Sequence, residues 1–207
     1  MTSQPHWDAI YRSKAPDQLS WYQPHLAASL RLIEAGAPER DTAIIDVGGG
    51  EATLVDDLLA RGYRDLTVLD ISPEALEVAK RRLGDAAERV TWRVADITRD
   101  ALPARRYGFW HDRAVFHFLV TPEQRAAYVR QLRNSLTPGG QLVIATFGPE
   151  GPTRCSGLDV VRYDADTLAA QLGPDFELVS HQLETHHTPN GKPQSFLYAH
   201  FRRSAEG

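Results

Sequence analysis

The chain has 207 residues, of which 42% are hydrophobic and 24% charged, and its 23 basic and 27 acidic residues give a net charge of −4. This composition excludes a fibrous or disordered chain, and at this length roughly 70% of the unfolded surface can be buried. The acidic balance argues against nucleic acid as a partner. The single cysteine excludes an intrachain disulfide or a Cys-x-x-Cys site. We expect a cytoplasmic protein without a membrane span, because the first residues carry no targeting pattern and no apolar run approaches the ~20 residues that cross a bilayer.

The hydrophobic pattern predicts an α/β fold. The segment His6–Trp21 is rich in aromatic residues and gives no clear secondary-structure signal, whereas Pro24–Ala35 is typical of a helix. From about residue 43 to residue 147, short apolar runs alternate with amphipathic stretches, which indicates a parallel sheet covered on both faces. The predicted strands of this region are Ala43–Val47, Leu66–Asp70, Val90–Ala95, Gly108–His111 and Gln141–Phe147.

Helix boundary signals separate these strands. A helix that follows the first strand is predicted to end at Gly62. Ser72-Pro73 is a cap followed by proline at the first helical position, and Gly84 ends that helix. Thr121-Pro122-Glu123-Gln124 has the spacing of a capping box, and its helix runs to the turn Pro138-Gly139-Gly140.

The pattern changes after residue 147. A loop rich in glycine and proline, Gly148–Gly157, precedes a short helix at Asp164–Leu172 and two strand-like runs, Phe176–Leu183 and Ser195–Phe201. We expect His186 and His187 to face solvent in the hairpin between those runs. No linker divides the chain, so we predict one domain, 1–207, with an N-terminal segment (1–41) and a core (42–203).

A glycine-rich turn is the most informative motif. Asp46-Val47-Gly48-Gly49-Gly50 joins a strand to a helix, and glycines there let backbone N–H groups approach a ligand at a helix N-terminus. Asp70 ends the second strand about 20 residues later, the spacing at which a carboxylate reaches ribose hydroxyls. Asp96 follows the third strand, where it could accept the exocyclic amine of adenine while the next backbone N–H meets a ring nitrogen.

In this ordered set of motifs the sequence resembles the class I S-adenosylmethionine-dependent methyltransferases over nearly its whole length. The resemblance implies a seven-stranded, doubly wound Rossmann-like sheet of order 3-2-1-4-5-7-6 with strand 7 antiparallel. It also implies S-adenosylmethionine as the cofactor and S-adenosylhomocysteine as the product. The implied cofactor-binding residues are Asp46, Gly48, Gly49, Gly50, Asp70, Ile71, Asp96 and Ile97.

A nicotinamide dinucleotide site is the competing interpretation of such a turn. Aspartates at the ends of adjacent strands suit a cationic sulfonium better than an anionic pyrophosphate. The third glycine of G-x-G-x-x-G is replaced by Thr53, and the chain has no Tyr-x-x-x-Lys pair. A structural Rossmann-like domain that binds a nucleotide without catalysis stays open.

Catalytic candidates come from the end of the fourth strand, which in this family faces the transferred methyl group. Asp112, Arg113 and His117 are therefore predicted to contact the acceptor, with His117 orienting it or removing a proton. Alternatively, Asp112 holds only the cofactor's ammonium and His117 is a packed histidine.

The N-terminal aromatic residues are expected to form a lid. Trp21 is the best candidate for meeting the sulfonium by cation–π attraction, although packing against the sheet explains the same residues. Cys155 could join His117, His186 and His187 in a metal or metalloid site, but one cysteine makes this the weaker interpretation, and we predict no resident metal. The short lid favours a small-molecule acceptor, with lysine on a protein as the alternative. The sequence leaves the oligomeric state open.

Overall fold

The computed structural model describes residues 4–205, and a seven-stranded sheet forms its centre. Strands β6 and β7 make a separate two-stranded hairpin beside this sheet. The strands are β1 (Ile44–Val47), β2 (Leu66–Asp70), β3 (Val90–Val94), β4 (Tyr107–Arg113), β5 (Leu136–Phe147), β6 (Arg154–Cys155), β7 (Leu158–Asp159), β8 (Phe176–His187) and β9 (Pro193–Arg203).

The sheet has the order β3-β2-β1-β4-β5-β9-β8. Neighbours are parallel from β3 to β5, whereas β9 runs antiparallel to both β5 and β8. Because β6 and β7 lie outside this sheet, β8 and β9 are its sixth and seventh strands in chain order. The predicted order 3-2-1-4-5-7-6, with strand 7 antiparallel, is confirmed.

The α-helices are α1 (Gln4–Ser13), α2 (Ala27–Gly36), α3 (Leu54–Ala60), α4 (Pro73–Leu83), α5 (Pro122–Ser135) and α6 (Ala165–Leu172). The capping signals act as the sequence predicts. Ser72 Oγ accepts the N–H of Ala75 at the start of α4, and Thr121 forms a capping box with Gln124 at the start of α5. Gly62 and Gly84 follow α3 and α4 with positive φ.

Two apolar clusters cover the two faces of the sheet. One contains α5 and α6 side chains packed around the fully buried Trp110, and the other contains α2, α3 and α4 side chains packed around Phe109. Successive residues of β4 thus serve opposite faces, as strand geometry requires. No helix in residues 4–205 is long and apolar enough to cross a bilayer.

Four strands are longer than predicted, and the simplest case is β9, which gains two residues at each end. β4 extends to Arg113 because His111 and Asp112 find buried polar partners on neighbouring elements. β5 begins at Leu136, so the Pro138-Gly139-Gly140 turn is a bulge where the pairing with β4 shifts. β8 extends to His187, because its pairing with β9 continues to Pro193.

The N-terminal segment is more ordered than its sequence suggests. It forms α1 and a 3-10 turn at Pro16–Gln18, and α1 lies against α4. Arg12 of α1 pairs with Glu74 of α4, and Ser72 donates a hydrogen bond to the buried Asp8. The ends of the predicted domain, residues 1 and 207, lie outside the described residues.

Candidate active site

The main cavity lies at the carboxyl edge of the parallel strands. The empty space there, with its open mouth included, is about 980 Å³. The register pairs Val47 with both Leu69 and Asp112, so the next residues, Gly48, Asp70 and Arg113, emerge side by side. All three line the cavity. Ligands of open α/β sheets bind at this edge.

The glycine turn brings backbone against the cavity. Gly48 has φ +70°, and a Cβ there would stand 2.0 Å from Val115 Cγ2. Its N–H donates to the Leu69 carbonyl at 2.7 Å. Gly49 and Gly50 support the turn from behind: a Cβ on Gly49 would meet Asp46 Oδ2 at 2.5 Å, and one on Gly50 would meet Tyr11 Oη at 2.9 Å.

Asp70 and Ile71 line the cavity at the end of β2. The Ser72 N–H holds Asp70 Oδ1 at 2.8 Å, which fixes the carboxylate in place. The pKa of Asp70 is raised to about 7. Burial is the main cause and the charge of nearby Asp46 adds to it, while hydrogen bonds from the backbone of Ser72, Ile71 and Gly50 act in the opposite direction. A ligand that donates hydrogen bonds to Asp70 would favour its ionised form.

Asp96 and Ile97 line the cavity beyond β3. Asp96 Oδ1 accepts from the N–H and the hydroxyl of Thr98, and the Asp96 N–H donates to Asp100. The predicted ribose and adenine residues therefore share one cavity with Gly48.

Asp46 is placed differently. It does not line the main cavity but a smaller neighbouring one of about 520 Å³ behind the glycine turn. Its Oδ1 lies 2.7 Å from His111 Nδ1, and His111 Nε2 lies 2.8 Å from the hydroxyl of Ser29 on α2. In the structure Asp46 supports the turn through this buried chain and does not face the main cavity.

Asp112 is turned away from the cavity, in contrast to the prediction that it contacts the acceptor. One carboxylate oxygen accepts the N–H groups of Val115 and Phe116, and the other accepts the Tyr128 hydroxyl at 2.7 Å. Tyr128 in turn accepts Trp110 Nε1–H at 2.8 Å. Burial raises the pKa of Asp112 to about 6, against these hydrogen bonds. Asp112 thus holds the turn that carries His117, and it is not among the residues that line the cavity.

Arg113 and His117 do line the cavity. Arg113 donates to the Trp21 carbonyl and to the Tyr198 hydroxyl, both at 2.9 Å. The Phe147 N–H donates to His117 Nδ1 at 3.2 Å. Burial, together with the charge of Arg113, lowers the pKa of His117 to about 3, so its ring is neutral at physiological pH.

The aromatic residues of the N-terminal segment cover the cavity. Trp7, Tyr11 and Trp21 line it, and their rings pack with centroids about 6 Å apart. Phe118 extends this cluster, with its ring centroid 5.0 Å from that of Trp7. The segment lies where the resemblance places a lid.

Comparison with known proteins identifies the family. A family model described as a methyltransferase domain matches residues 44–140. A malonyl-[acyl-carrier protein] O-methyltransferase from Anoxybacillus flavithermus is 33% identical, with 88% of this chain and 68% of that protein covered. This chain spans less than half of two further relatives of that description. The chain belongs to the class I S-adenosylmethionine-dependent methyltransferases.

Solved structures share the fold of this methyltransferase. One, from work on conversion of a disulfide bond into a thioacetal group during echinomycin biosynthesis, has a TM-score of 0.76 and 22% identity, covering 99% of this chain and 93% of its own. Another is Burkholderia thailandensis 1,6-didemethyltoxoflavin-N1-methyltransferase with bound 1,6-didemethyltoxoflavin and S-adenosylhomocysteine. Its TM-score is 0.69 at 20% identity, with 98% of this chain and 84% of that one covered.

The cofactor of this methyltransferase is S-adenosylmethionine, and the cavity fits it. Gly48 and Val115 both line the cavity, and Val115 occupies the space that a Cβ on Gly48 would need, so only glycine fits at this position of the wall. The buried Asp70 and the partly buried Asp96 line the same cavity and offer carboxylate oxygens as acceptors for the hydroxyl and amino groups of a ligand. Acidic groups with raised pKa values also suit a cationic ligand, which stabilises their ionised forms.

Sequence reasoning missed Glu51. It is buried, it lines the smaller cavity, and neither carboxylate oxygen has a hydrogen-bond partner among the described residues. Burial raises the pKa of Glu51 to about 7, against the charge of Arg82. Its position directly after Gly50 was the only signal in the sequence.

Cys155 and the two histidines do not form one site. Cys155 lines the main cavity, and burial raises the pKa of its thiol. His186 is buried, in contrast to the prediction of a solvent-facing residue: its Nε2 lies 2.7 Å from the Ser20 carbonyl, and Gln23 lies 3.1 Å from its Nδ1. His187 is exposed. Within residues 4–205, no group of three or more His, Cys, Asp or Glu side chains could hold a metal ion.

Proposed function

We propose that this methyltransferase transfers the methyl group of S-adenosylmethionine to a small molecule that binds in the main cavity. The observation that carries the proposal is that Trp7, Tyr11 and Trp21 of the N-terminal segment form part of the wall of that cavity. A small molecule enters a partly enclosed cavity more readily than a side chain on the surface of a folded protein does. The malonyl-[acyl-carrier protein] relative acts on a carrier-bound acyl group, by its name, which is compatible with an acceptor that reaches in from outside.

We assign the cofactor contacts by their position on the strand ends. Asp70 and Ile71 hold the ribose, and Asp96 with the Ile97 N–H reads the adenine. The backbone at Gly48 passes against the amino-acid part of the cofactor. Asp46, Gly49 and Gly50 act indirectly, because they shape the turn from its far side.

Trp21 is proposed to face the sulfonium. It lines both cavities, and its carbonyl is tied to Arg113. Glu51 is proposed to receive the cofactor's α-ammonium, since it is a buried carboxylate with both oxygens available in the neighbouring cavity. An ammonium ion supplies the opposite charge and the donors that a buried carboxylate needs.

The bound cofactor supplies an activated methyl group, so the chain mainly orients the acceptor and excludes water. His117 does not remove a proton in this arrangement. Its Nδ1 accepts the Phe147 N–H, which places the ring proton on Nε2 and makes His117 a hydrogen-bond donor to the cavity. We therefore propose that His117 binds and orients the acceptor, which is the first of the two roles predicted for it, and does not remove a proton.

The remaining proposals concern context. We propose one domain in which segment 1–41 covers core 42–203, and a cytoplasmic location without nucleic acid or membrane as a partner. The net charge of −4 supports the exclusion of nucleic acid.

Methyl-tritiated S-adenosylmethionine tests the acceptor class. The protein is incubated with a bacterial extract divided at about 3 kDa, and label is counted in each fraction. Label in the small-molecule fraction supports the proposal, and label confined to protein, released as methyl-lysine on hydrolysis, overturns it in favour of a protein-lysine acceptor. Gly48→Val is the matched control, because a Cβ there collides with Val115 and obstructs the cofactor site.

A further inference from the structure

Two residues that line the main cavity each carry a buried polar atom without a partner among the described residues. Arg113 Nη2 and His117 Nε2 are both buried, and neither has a hydrogen-bond partner in the described part of the chain. Both residues line the same cavity, at the end of β4 and in the turn that follows it. Buried polar groups in folded proteins are nearly always hydrogen-bonded, so two orphans in one cavity wall indicate a ligand that supplies acceptors.

The protonation state of His117 is fixed by its surroundings. The Phe147 N–H occupies Nδ1 at 3.2 Å, so Nε2 carries the proton of the neutral ring. The ring is fully buried and lies 4.6 Å, centroid to centroid, from both Phe118, which it meets edge to face, and Phe147, to which it is tilted by 32°. The Nε2–H of His117 is therefore a hydrogen-bond donor without an acceptor among the described residues.

The positively charged guanidinium of Arg113 contacts only neutral groups among the partners described for it. Its Nε and Nη1 donate to the Tyr198 hydroxyl and the Trp21 carbonyl, and the guanidinium carbon lies 4.7 Å from the ring centroid of Phe196. These contacts hold the group rigidly without compensating its charge. A half-buried guanidinium with one free N–H edge is suited to an anionic oxygen.

We propose that Arg113 Nη2 and His117 Nε2–H together bind a carboxylate, or an equivalent anionic oxygen group, of the methyl acceptor. The proposal rests on the proposed function and narrows it: the acceptor is a small acid. Phe118, Leu119 and Phe147 form apolar parts of the wall of the same cavity, so we expect the body of the acid to be hydrophobic. The adenosine contacts assigned to Asp70 and Asp96 lie on β2 and beyond β3, on the other side of β1 from this site.

The cofactor's own amino-acid carboxylate is the other source of the same chemistry. It would approach from Gly48, which lies beside Arg113 at the sheet edge. The experiment therefore compares S-adenosylhomocysteine, which carries that carboxylate, with 5′-methylthioadenosine, which lacks the amino-acid part.

Calorimetry on the wild-type protein gives the first test. The protein is saturated with S-adenosylhomocysteine and titrated with benzoate and hexanoate, and with benzamide and hexanamide as neutral counterparts of the same shape. We expect at least one acid to bind about tenfold more tightly than its amide. If neither acid binds better than its amide, the proposal is wrong.

Two variants at one position give the second test. In His117→Asn the side-chain oxygen can still accept the Phe147 N–H but the donor into the cavity is lost, and we expect acid affinity to fall about tenfold with S-adenosylhomocysteine affinity unchanged. His117→Gln can place an amide donor near the Nε2 position, and we expect it to recover most of the acid affinity. His181→Asn, on the exposed part of β8, is the control for substitution alone.

The two sources separate in the same measurements. The proposal fails if the acids compete with S-adenosylhomocysteine but bind together with 5′-methylthioadenosine, and if His117→Asn weakens binding of S-adenosylhomocysteine but not of 5′-methylthioadenosine. In that case the site holds the carboxylate of the cofactor. A failure of the proposed function looks different. Label would then enter protein while the acid preference and its dependence on His117 persist.

Discussion

Replacing Asp70 with asparagine should stabilise the free protein and weaken its hold on the cofactor. Asp70 is 5% exposed, and burial raises its pKa from 3.8 to about 7. At pH 8 the folded state must carry this buried charge, and a displacement of about three pH units is worth up to about 4 kcal/mol. Asparagine keeps an acceptor for the Ser72 N–H and removes the charge.

The sign of the pH dependence follows from the raised pKa. The folded protein binds a proton at Asp70 more tightly than the unfolded chain, so this contribution to stability is fully present below about pH 4 and is lost as the pH rises through 7. We expect Asp70→Asn to unfold at a higher denaturant midpoint than wild type at pH 8. The advantage should be full at pH 8 and should shrink as the pH falls from about 7 towards 4.

Cofactor binding should change in the opposite direction. If both ribose hydroxyls donate to the Asp70 carboxylate, its loss removes charge-assisted hydrogen bonds worth about 1.5–3 kcal/mol, or about 10- to 150-fold in affinity for S-adenosylhomocysteine. Urea unfolding at pH 5.5 and pH 8 measures the first effect, and calorimetry at pH 8 measures the second. Asp85→Asn, at an exposed site, is the matched control.

Two results would refute this reasoning. Unchanged S-adenosylhomocysteine affinity in a folded Asp70→Asn protein would show that the ribose lies elsewhere. A stability difference that does not vary with pH would show that Asp70 is ionised without cost in the free protein.

Three further variants test other parts of the site. Gly48→Val should abolish measurable S-adenosylhomocysteine binding in calorimetry, because even a Cβ would stand 2.0 Å from Val115 Cγ2; full binding would remove the glycine turn from the cofactor site. Trp21→Ala should weaken binding of S-adenosylmethionine more than that of S-adenosylhomocysteine by about 0.5–2 kcal/mol, since only the sulfonium has cation–π attraction to lose, and equal losses would leave Trp21 a packing role. Tyr128→Phe should lower the free energy of unfolding by about 1–3 kcal/mol, because it removes a donor from the buried Asp112; urea unfolding checks this, and a neutral result would mean that Asp112 is satisfied without it.

The sequence by itself determined the alternation of strands and helices and the main helix ends, whereas the strand order came from its resemblance to a known family. Ser72, Thr121 and Gly62 act on backbone within four residues of themselves, so their effects follow from local chain chemistry. The glycine turn is equally local, because its positive φ angles depend on the residues that adopt them. Asp70 and Asp96 could be placed at one edge because parallel strands all end there.

Only the tertiary structure decided which side chains face the cavity. Asp112 and Arg113 are neighbours in sequence, yet β4 directs Asp112 to Tyr128 and Arg113 to the Trp21 carbonyl, 92 residues away. His186 is buried, and the partner of its Nε2–H is the backbone carbonyl of Ser20, which is 166 residues distant in the sequence. Such contacts depend on which elements pack together, and no local pattern in the chain records them.

The N-terminal segment shows the same division. Trp7, Ile10 and Tyr11 are spaced as on one face of a helix, but only the fold shows that α1 lies against α4, where it contacts Glu74 and the capping residue Ser72. The proton on His117 is likewise set by the Phe147 N–H at the end of another strand. Residue type determines which hydrogen bonds a side chain can donate or accept, whereas the fold determines which partner it meets. For His117 that partner is a donor, so the ring proton lies on Nε2 and the side chain can donate a hydrogen bond.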